Sequence, residues 1–243
     1  MTIYNEPRLV PCGDRAISVE LGDEISREVN ARILALDYLI RQEAVAGVTE
    51  TVPSFRSLLV YYDPLVIGYE PLRFSLQRLV LCARPEVLPP SRIVELPCCY
   101  GGELGFELPG AAAKLGLPEG DVVTLHASAE YYVDFVGFTP GLPYLSGMPE
   151  RLFIPRLETP RVKTPPGSVS VGGMQCCIYS VESPGGFWVI GRTPVRLYDP
   201  AAADPILLQA GDRVRFRSID RAEFDAIATA GRSYMPRIET PSC

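Results

Sequence analysis

The sequence predicts two domains: an α+β N-terminal domain of order β-α-β-β-α over residues 1–88, then a mainly β domain over residues 89–243. Three observations predict this division. Long apolar stripes of helical period fall in the first third of the chain. The string "RPEVLPPSR" from Arg84 carries three prolines and suits neither helix nor strand interior. Beyond it, short strand-like stretches are punctuated by Gly and Pro at regular intervals, the texture of a closed barrel or a sandwich.

In chain order, "RAISVEL" alternates Ala16, Ile17, Val19 and Leu21 as a strand does, and Asp23 stands where an N-cap is needed. Ile25, Val29, Ile33, Leu36 and Ile40 then line one face of a helix from about Glu24 to Ala44, with Gly47 beyond its end. "VTETVPSF" and "RSLLVYYD" read as two strands, and Pro71 to Ala83 as a second helix. After the proline string come a strand, "RIVELPCCY", and two helical pieces, Leu108 to Leu115 and Glu119 to Leu125. "YYVDFVGF", "SVSVGG", "QCCIYSV", "GFWVIGR", "VRLYD" and "DRVRFRSI" complete the strand candidates.

Bulk properties exclude several classes of function. The 243 residues are 47% hydrophobic and 21% charged, as a packed globular chain requires, and the net charge of −6 offers no basic footprint for nucleic acid. Of 23 basic residues only Lys114 and Lys163 are lysines. No apolar run reaches the length of a membrane span, and "MTIYNEPRLVPCGDR" lacks the regions of a signal peptide, so a cytoplasmic location is expected. Seven cysteines (Cys12, Cys82, Cys98, Cys99, Cys176, Cys177 and Cys243) without a C-x-x-C spacing, beside one histidine, argue against a zinc site and for reduced thiols. No metal is expected.

Several segments could carry chemistry. "PPGSVSVGGMQ" is glycine-rich, but it lacks the G-K-[ST] ending and the following helix of a phosphate loop, so a barrel turn is expected. His126, at the end of a helical piece, serves either as a surface or capping residue or as a general base, with Glu130 and Asp134 as neighbours that could orient it. "RLFIPRLETPRVKTPPGS" gathers Arg151, Arg156, Arg161 and Lys163 among prolines. Guanidinium forks there suit carboxylate or phosphate, although a basic edge strand would look the same. In "SPGGFWVIGRT" the paired glycines read as a hairpin turn, Trp188, Val189 and Ile190 as core, and Arg192 as a ligand candidate.

Taken together, "CYGGELG", "LHASAEYYVDFVGFTPGLPYLSGMP", "TPRVKTPPGSVSVGG", "IYSVESPGGFWVIGRT", "LYDP" and "LLQAGDRVRF" resemble the KipI or allophanate hydrolase subunit 1 family, which includes the B-type subunit of the ATP-dependent 5-oxoprolinase. "CGDRAISVEL" extends the resemblance to the N-terminus. The resemblance implies a cyclophilin-like β-barrel for the second domain and opening of a lactam, 5-oxo-L-proline, to L-glutamate. ATP with Mg is implied at the level of the complex, together with an allophanate hydrolase subunit 2-like partner and a LamB/YcsF-like third subunit. It also admits a KipI-like inhibitor of a histidine kinase, or a subunit related to urea amidolyase; prolyl isomerisation rests on fold analogy alone.

On the enzyme reading, His126 and Lys163 are expected to be catalytic, and Arg161, Ser168, Gln175, Arg192 and Thr193 to contact a small anionic lactam or amide. Pro140, Gly141, Pro143 and Tyr144 are expected to form a rigid rim at the barrel mouth. Three departures stand out: Phe106 and Glu107 in "YGGELGFEL", Leu142 in "PGLPYL", and Met174, Cys176, Cys177 and Ser180 in "GMQCCIYSV".

Overall fold

A computed structural model of the chain describes residues 3–23 and 25–240, in two compact units, Met1–Pro89 and Pro90–Cys243. The first unit runs β1 (Ile3–Pro11), β2 (Ala16–Gly22), α1 (Arg27–Gln42), β3 (Val48–Pro53), β4 (Ser57–Tyr62) and α2 (Tyr69–Cys82). Its four strands form an antiparallel sheet of order β1-β2-β4-β3. Ile17, Val19 and Leu21 of β2 and Leu58 and Val60 of β4 are buried together with Val29, Ile33, Leu36 and Ile40 of α1 and Leu72, Leu76 and Leu79 of α2. Two amphipathic helices thus bury one face of the sheet, which is the physical reason for the alternation in β2.

This order, β-β-α-β-β-α, contains one strand more than the sequence predicts. β1 lies at the sheet edge and its pairing with β2 shifts register between Ile3 and Arg8. Only one of its sides is paired, so "IYNEPRLVP" can hold Pro7 and need not alternate. α1 also starts later than expected. Its N-cap is Ser26, whose Oγ accepts from Val29 N at 3.4 Å, and not Asp23. Ile25 precedes the helix and is exposed, so the buried stripe begins at Val29. Glu24, the expected first residue of the helix, lies outside the described residues, as does Cys243.

The second unit runs β5 (Ile93–Tyr100), α3 (Leu108–Leu115), α4 (Glu119–Ser128), β6 (Glu130–Val136), β7 (Pro143–Ser146), β8 (Arg161–Thr164), β9 (Ser168–Gly172), β10 (Gln175–Ile178), β11 (Ser183–Gly185), β12 (Trp188–Arg192), β13 (Arg213–Ser218), α5 (Arg221–Ala230) and β14 (Arg237–Glu239). β12-β9-β10-β7-β6-β13-β5 follow one another in one sheet, and β12 pairs back onto β5 through Gly191↔Tyr100 and Arg192↔Cys99. The result is a closed barrel and not a sandwich. Val94, Leu96, Tyr131, Val133, Leu145, Val169, Val171, Ile178, Ile190 and Phe216 are buried in its core. β8 and β11 form a separate two-stranded ribbon.

Three further expectations are corrected. "SPGG" does not make a hairpin between neighbouring strands, because β11 pairs with β8 while β12 pairs with β9. "VRLYD" is a loop with a single bridge, Tyr198↔Ile206; Pro194 and Pro200 bracket it, and Thr193 Oγ1 accepts from Val195 N instead of leaving that amide to a ladder. The helix α5 is absent from the sequence-based reading, although Asp220 caps it by accepting from Glu223 N at 2.8 Å.

Closure leaves little room where the loop after β5 meets β12. Gly101 N donates to Ile190 O at 3.1 Å, and a Cβ on Gly105 would stand 2.1 Å from the same oxygen. Gly105→Ala is expected to cost about 1–3 kcal/mol of stability. Gly120→Ala, in α4 with nothing within 4 Å of an added Cβ, should be neutral or stabilising by up to about 1 kcal/mol. Urea midpoints of the two variants should therefore move in opposite directions from wild type or differ by the larger loss.

Candidate functional site

Alternation along the barrel strands sorts side chains onto two faces. On β9, Val169 and Val171 enter the core, so Ser168, Ser170 and Gly172 face outward. Residues directly opposite in an antiparallel ladder share a face. Gln175 lies opposite Gly172, Cys177 opposite Ser170, Arg192 opposite Ser168, Tyr144 opposite Cys177 and Phe135 opposite Tyr144. The outer wall of β12, β9, β10, β7 and β6 therefore gathers a contiguous set of polar and aromatic groups.

That wall is covered. Phe187, just after β11, is buried with Leu142, Cys177 and Tyr179, and Tyr144 packs against them while stacking on Phe135 at 4.5 Å between ring centroids. The Phe187 ring lies 2.9 Å from where a Cβ on Gly172 would stand, so only glycine admits it there. The Arg156 guanidinium sits over the same ring at 4.6 Å. Burial pushes the Cys177 thiol up to about 12 despite the Tyr179 hydrogen bond and the nearby Arg156 and Arg161 charges. Cys177 is thus a neutral packing group and not a nucleophile.

Of the residues singled out from the sequence, this wall brings together Ser168, Gln175, Arg192 and Tyr144, and Thr193 follows Arg192 just beyond β12. Arg192 donates through Nε to Pro166 O at 2.7 Å, and burial lowers its affinity for the proton. No carboxylate pairs with it among the described residues. Thr193 is buried and its hydroxyl is taken by Val195 N. Its carbonyl oxygen would be 2.3 Å from a Cβ on Gly167, whose φ is +81°.

Arg161 is occupied otherwise. Its Nη1 donates to both oxygens of Glu107, at 2.5 and 2.6 Å, and its Nη2 to Phe187 O at 2.6 Å. Glu107 Oε2 also accepts from Val189 N at 2.6 Å. Arg161 and Glu107 therefore tie β8 to β12, a role that composition alone does not reveal. Lys163 is exposed and pairs with Glu182 at 3.0 Å.

His126 is not at a barrel mouth. It is 0% exposed, wedged between Tyr131 and Phe216, with Nδ1 2.8 Å from Tyr100 Oη and Nε2 3.4 Å from Cys176 Sγ. Burial pushes its pKa down to about 3. The imidazole is neutral and screened from solvent, whereas Lys163 stands in it, so the structure does not bring this expected catalytic pair together. Nor do the expected acids orient it: Glu130 is engaged by Arg213 and Arg215, and Asp134 accepts from Ser146.

The expected rim divides as well. Pro140 is exposed and its carbonyl accepts from Ser180 Oγ at 2.6 Å; Gly141 is a buried turn residue with φ +75°. Pro143 and Tyr144 are not loop residues but the start of β7. The aromatic that the loop presents to solvent is Phe138, 66% exposed and held at φ +69°. Among the described residues no group of three or more His, Cys, Asp or Glu could hold a metal ion, and no helix is long and apolar enough to cross a membrane.

The buried imidazole has a measurable consequence. Below pH 6.5 the unfolded chain binds a proton that the native chain refuses until about pH 3, so stability present above 6.5 is lost as pH falls through that window. Relative to His126→Gln, the wild type should lose unfolding free energy with a slope approaching ~1.4 kcal/mol per pH unit. Parallel urea titrations of both proteins at pH 7, 6 and 5 check this; identical slopes would exclude a native-state imidazole that resists protonation.

Residues 7–208 match the family described as carboxyltransferase domain, subdomain C and D. The B-type subunit of 5-oxoprolinase from Bacillus subtilis is 35% identical over 88% of this chain and 93% of its own length. That of Escherichia coli O157:H7 is 40% identical over 84% and 92%. The crystal structure of TTHA0988 superposes with a TM-score of 0.76 at 36% identity over 85% of this chain, which spans only 40% of that longer one. This chain thus belongs to the carboxyltransferase subdomain C and D family, among the KipI or allophanate hydrolase subunit 1 proteins that include the B-type subunits of 5-oxoprolinase.

Proposed function

We propose that the chain is the B-type subunit of an ATP-dependent 5-oxoprolinase, converting 5-oxo-L-proline to L-glutamate together with an allophanate hydrolase subunit 2-like partner and a LamB/YcsF-like third subunit. The observation that carries this reading is the nearly full-length similarity to relatives bearing that name. The outer wall adds chemical support. 5-Oxo-L-proline is compact and carries a carboxylate beside a lactam carbonyl, and Arg192 is a half-buried guanidinium without a carboxylate partner among the described residues. Such a group gains more from an incoming anion than one already paired.

ATP with Mg supplies activation of the unreactive lactam and the driving force for its opening at the level of the complex. The glycine-rich segment of this chain does not fit a nucleotide: it is the β9–β10 hairpin, its backbone is committed to ladder pairing, and no helix follows. This subunit is therefore read as the part that binds and orients the lactam, with nucleotide handled elsewhere in the assembly. Arg192 would hold the carboxylate, and Lys163, free to exchange Glu182 for a ligand at the surface, would complement developing negative charge.

The test is reconstitution. The chain should co-purify with its subunit 2-like partner, and the full complex should form glutamate from 5-oxo-L-proline only with ATP present. Arg192→Ala should lower kcat/KM by more than about tenfold while assembly persists on size exclusion. Wild-type activity in that variant would remove Arg192 from the site, and a complex inert toward 5-oxo-L-proline would sink the reading itself.

A further inference from the structure

Three buried polar groups on the outer wall lack hydrogen-bond partners among the described residues: Ser168 Oγ, Ser170 Oγ and Gln175 Nε2. Their residues are 1%, 0% and 8% exposed. All three share one face. Ser168 and Ser170 are two apart on β9, and Gln175 lies across from Gly172, the next outward position. Buried polar groups are almost always paired, and three orphans side by side on one strand pair are a departure that calls for a cause.

The chemistry of the row is one-sided. An amide Nε2 can only donate, and the hydroxyls are free to turn their hydrogens the same way. Of the carboxylates tied to this wall, Glu107 is consumed by Arg161 and Val189 N, and Asp134, on β6, accepts from Ser146. Arg192, half-buried opposite Ser168, stands at one end of the row. Phe187 covers the other end over Gly172. Unpartnered donors beside a cation, with these carboxylates engaged by other groups, describe a place for an acceptor oxygen.

The cover is separable from the wall. β8 and β11 pair with each other and with no other strand among the described residues. Among the described residues, this ribbon is held to the barrel by Arg161, through Glu107, and by Phe187 just after it, through the small cluster with Leu142, Cys177 and Tyr179. Lifting the ribbon together with Phe187, which follows it, uncovers the Gly172 end of the row without breaking a barrel ladder.

We propose that Ser168, Ser170 and Gln175 form a row of donors that receives an oxygen of a compact carboxylate or amide ligand, with the β8–β11 ribbon as its cover. The proposal rests on the 5-oxoprolinase reading only for the identity of that ligand, since 5-oxo-L-proline carries both kinds of oxygen. A site that keeps donors unpaired in the free protein trades stability for binding. Removing an orphan should then stabilise the empty chain and weaken the liganded one, a combination that a merely structural hydroxyl cannot produce.

The experiment uses the purified full chain and the reconstituted complex, with Ser170→Ala and, separately, Gln175→Leu. Thermal unfolding of the empty chain should rise by about 2–4 °C in each variant. Protection of the chain by 5-oxo-L-proline should be lost, and KM in the complex should rise by about an order of magnitude with kcat less affected. Variants that melt at or below wild type and keep both protection and KM overturn the proposal. Acetate and 2-pyrrolidinone separate it from the functional reading. If the complex does not turn over 5-oxo-L-proline but either probe protects wild type and not Ser170→Ala, the donor row stands and the substrate assignment falls. If none of the three compounds protects wild type, the donor row falls.

Discussion

The seam where β12 pairs with β5 is the constraint on which the second unit depends. Closing a sheet into a barrel brings first and last strands within hydrogen-bond distance, and here the approach is so close that a Cβ on Gly191 would stand 2.8 Å from Cys98 Sγ and 2.9 Å from Cys99 O. The loop after β5 adds to the same point, with Gly101 N on Ile190 O and Gly105 beneath it. A side chain is excluded at Gly191 and Gly105 so that backbone can meet backbone. Everything on β12, including Arg192 and the Val189 amide that Glu107 accepts from, takes its position from that seam.

Once the barrel is closed, the two-residue period of its strands assigns each side chain to one of two environments. Valines and isoleucines of β9, β10 and β12 fill the interior, and their alternate neighbours build the wall that the ribbon covers. The two adjacent cysteines show the rule within a single dipeptide. Cys176 enters the core beside His126 Nε2, while Cys177 faces Tyr179 and Phe187 on the outside. A substitution at one of them is felt by the interior network and at the other by the covered face. Burial on both sides keeps both thiols protonated.

Much of this is legible from residues alone, for reasons that also explain the rest. α1 and α2 show apolar stripes of helical period, and β2 and β13 show alternation, because each buries one face, whereas β9 and β10 are buried on both. β1 is not visible in the sequence because an edge strand with a register shift is under no such demand. The ribbon misleads for a different reason: Gly185 and Gly186 carry turn chemistry, but which strands they join is decided by pairing partners far along the chain, β8 and β9. At the site, alternation in "SVSVGG" already puts Ser168 and Ser170 on one face. The partnership of Arg161 with Glu107 spans 54 residues and leaves no local signal.

The sole histidine carries the sharpest lesson about residue type and environment. An imidazole titrates near neutrality only where water or a charge partner can stabilise its protonated form. Here its neighbours are Tyr131, Phe216, Tyr100 and Cys176, and burial holds the two tyrosine hydroxyls and the thiol protonated as well. Around His126 only neutral donors and acceptors remain, which is the condition under which burying an imidazole costs least. Sequence position next to Glu130 suggests an acid–base pair, but β6 places that carboxylate outside with Arg213 and Arg215 while α4 turns the ring inward. Acid–base chemistry assigned to this chain must therefore come from groups other than its one histidine, and the barrel interior is left to hold the wall in place.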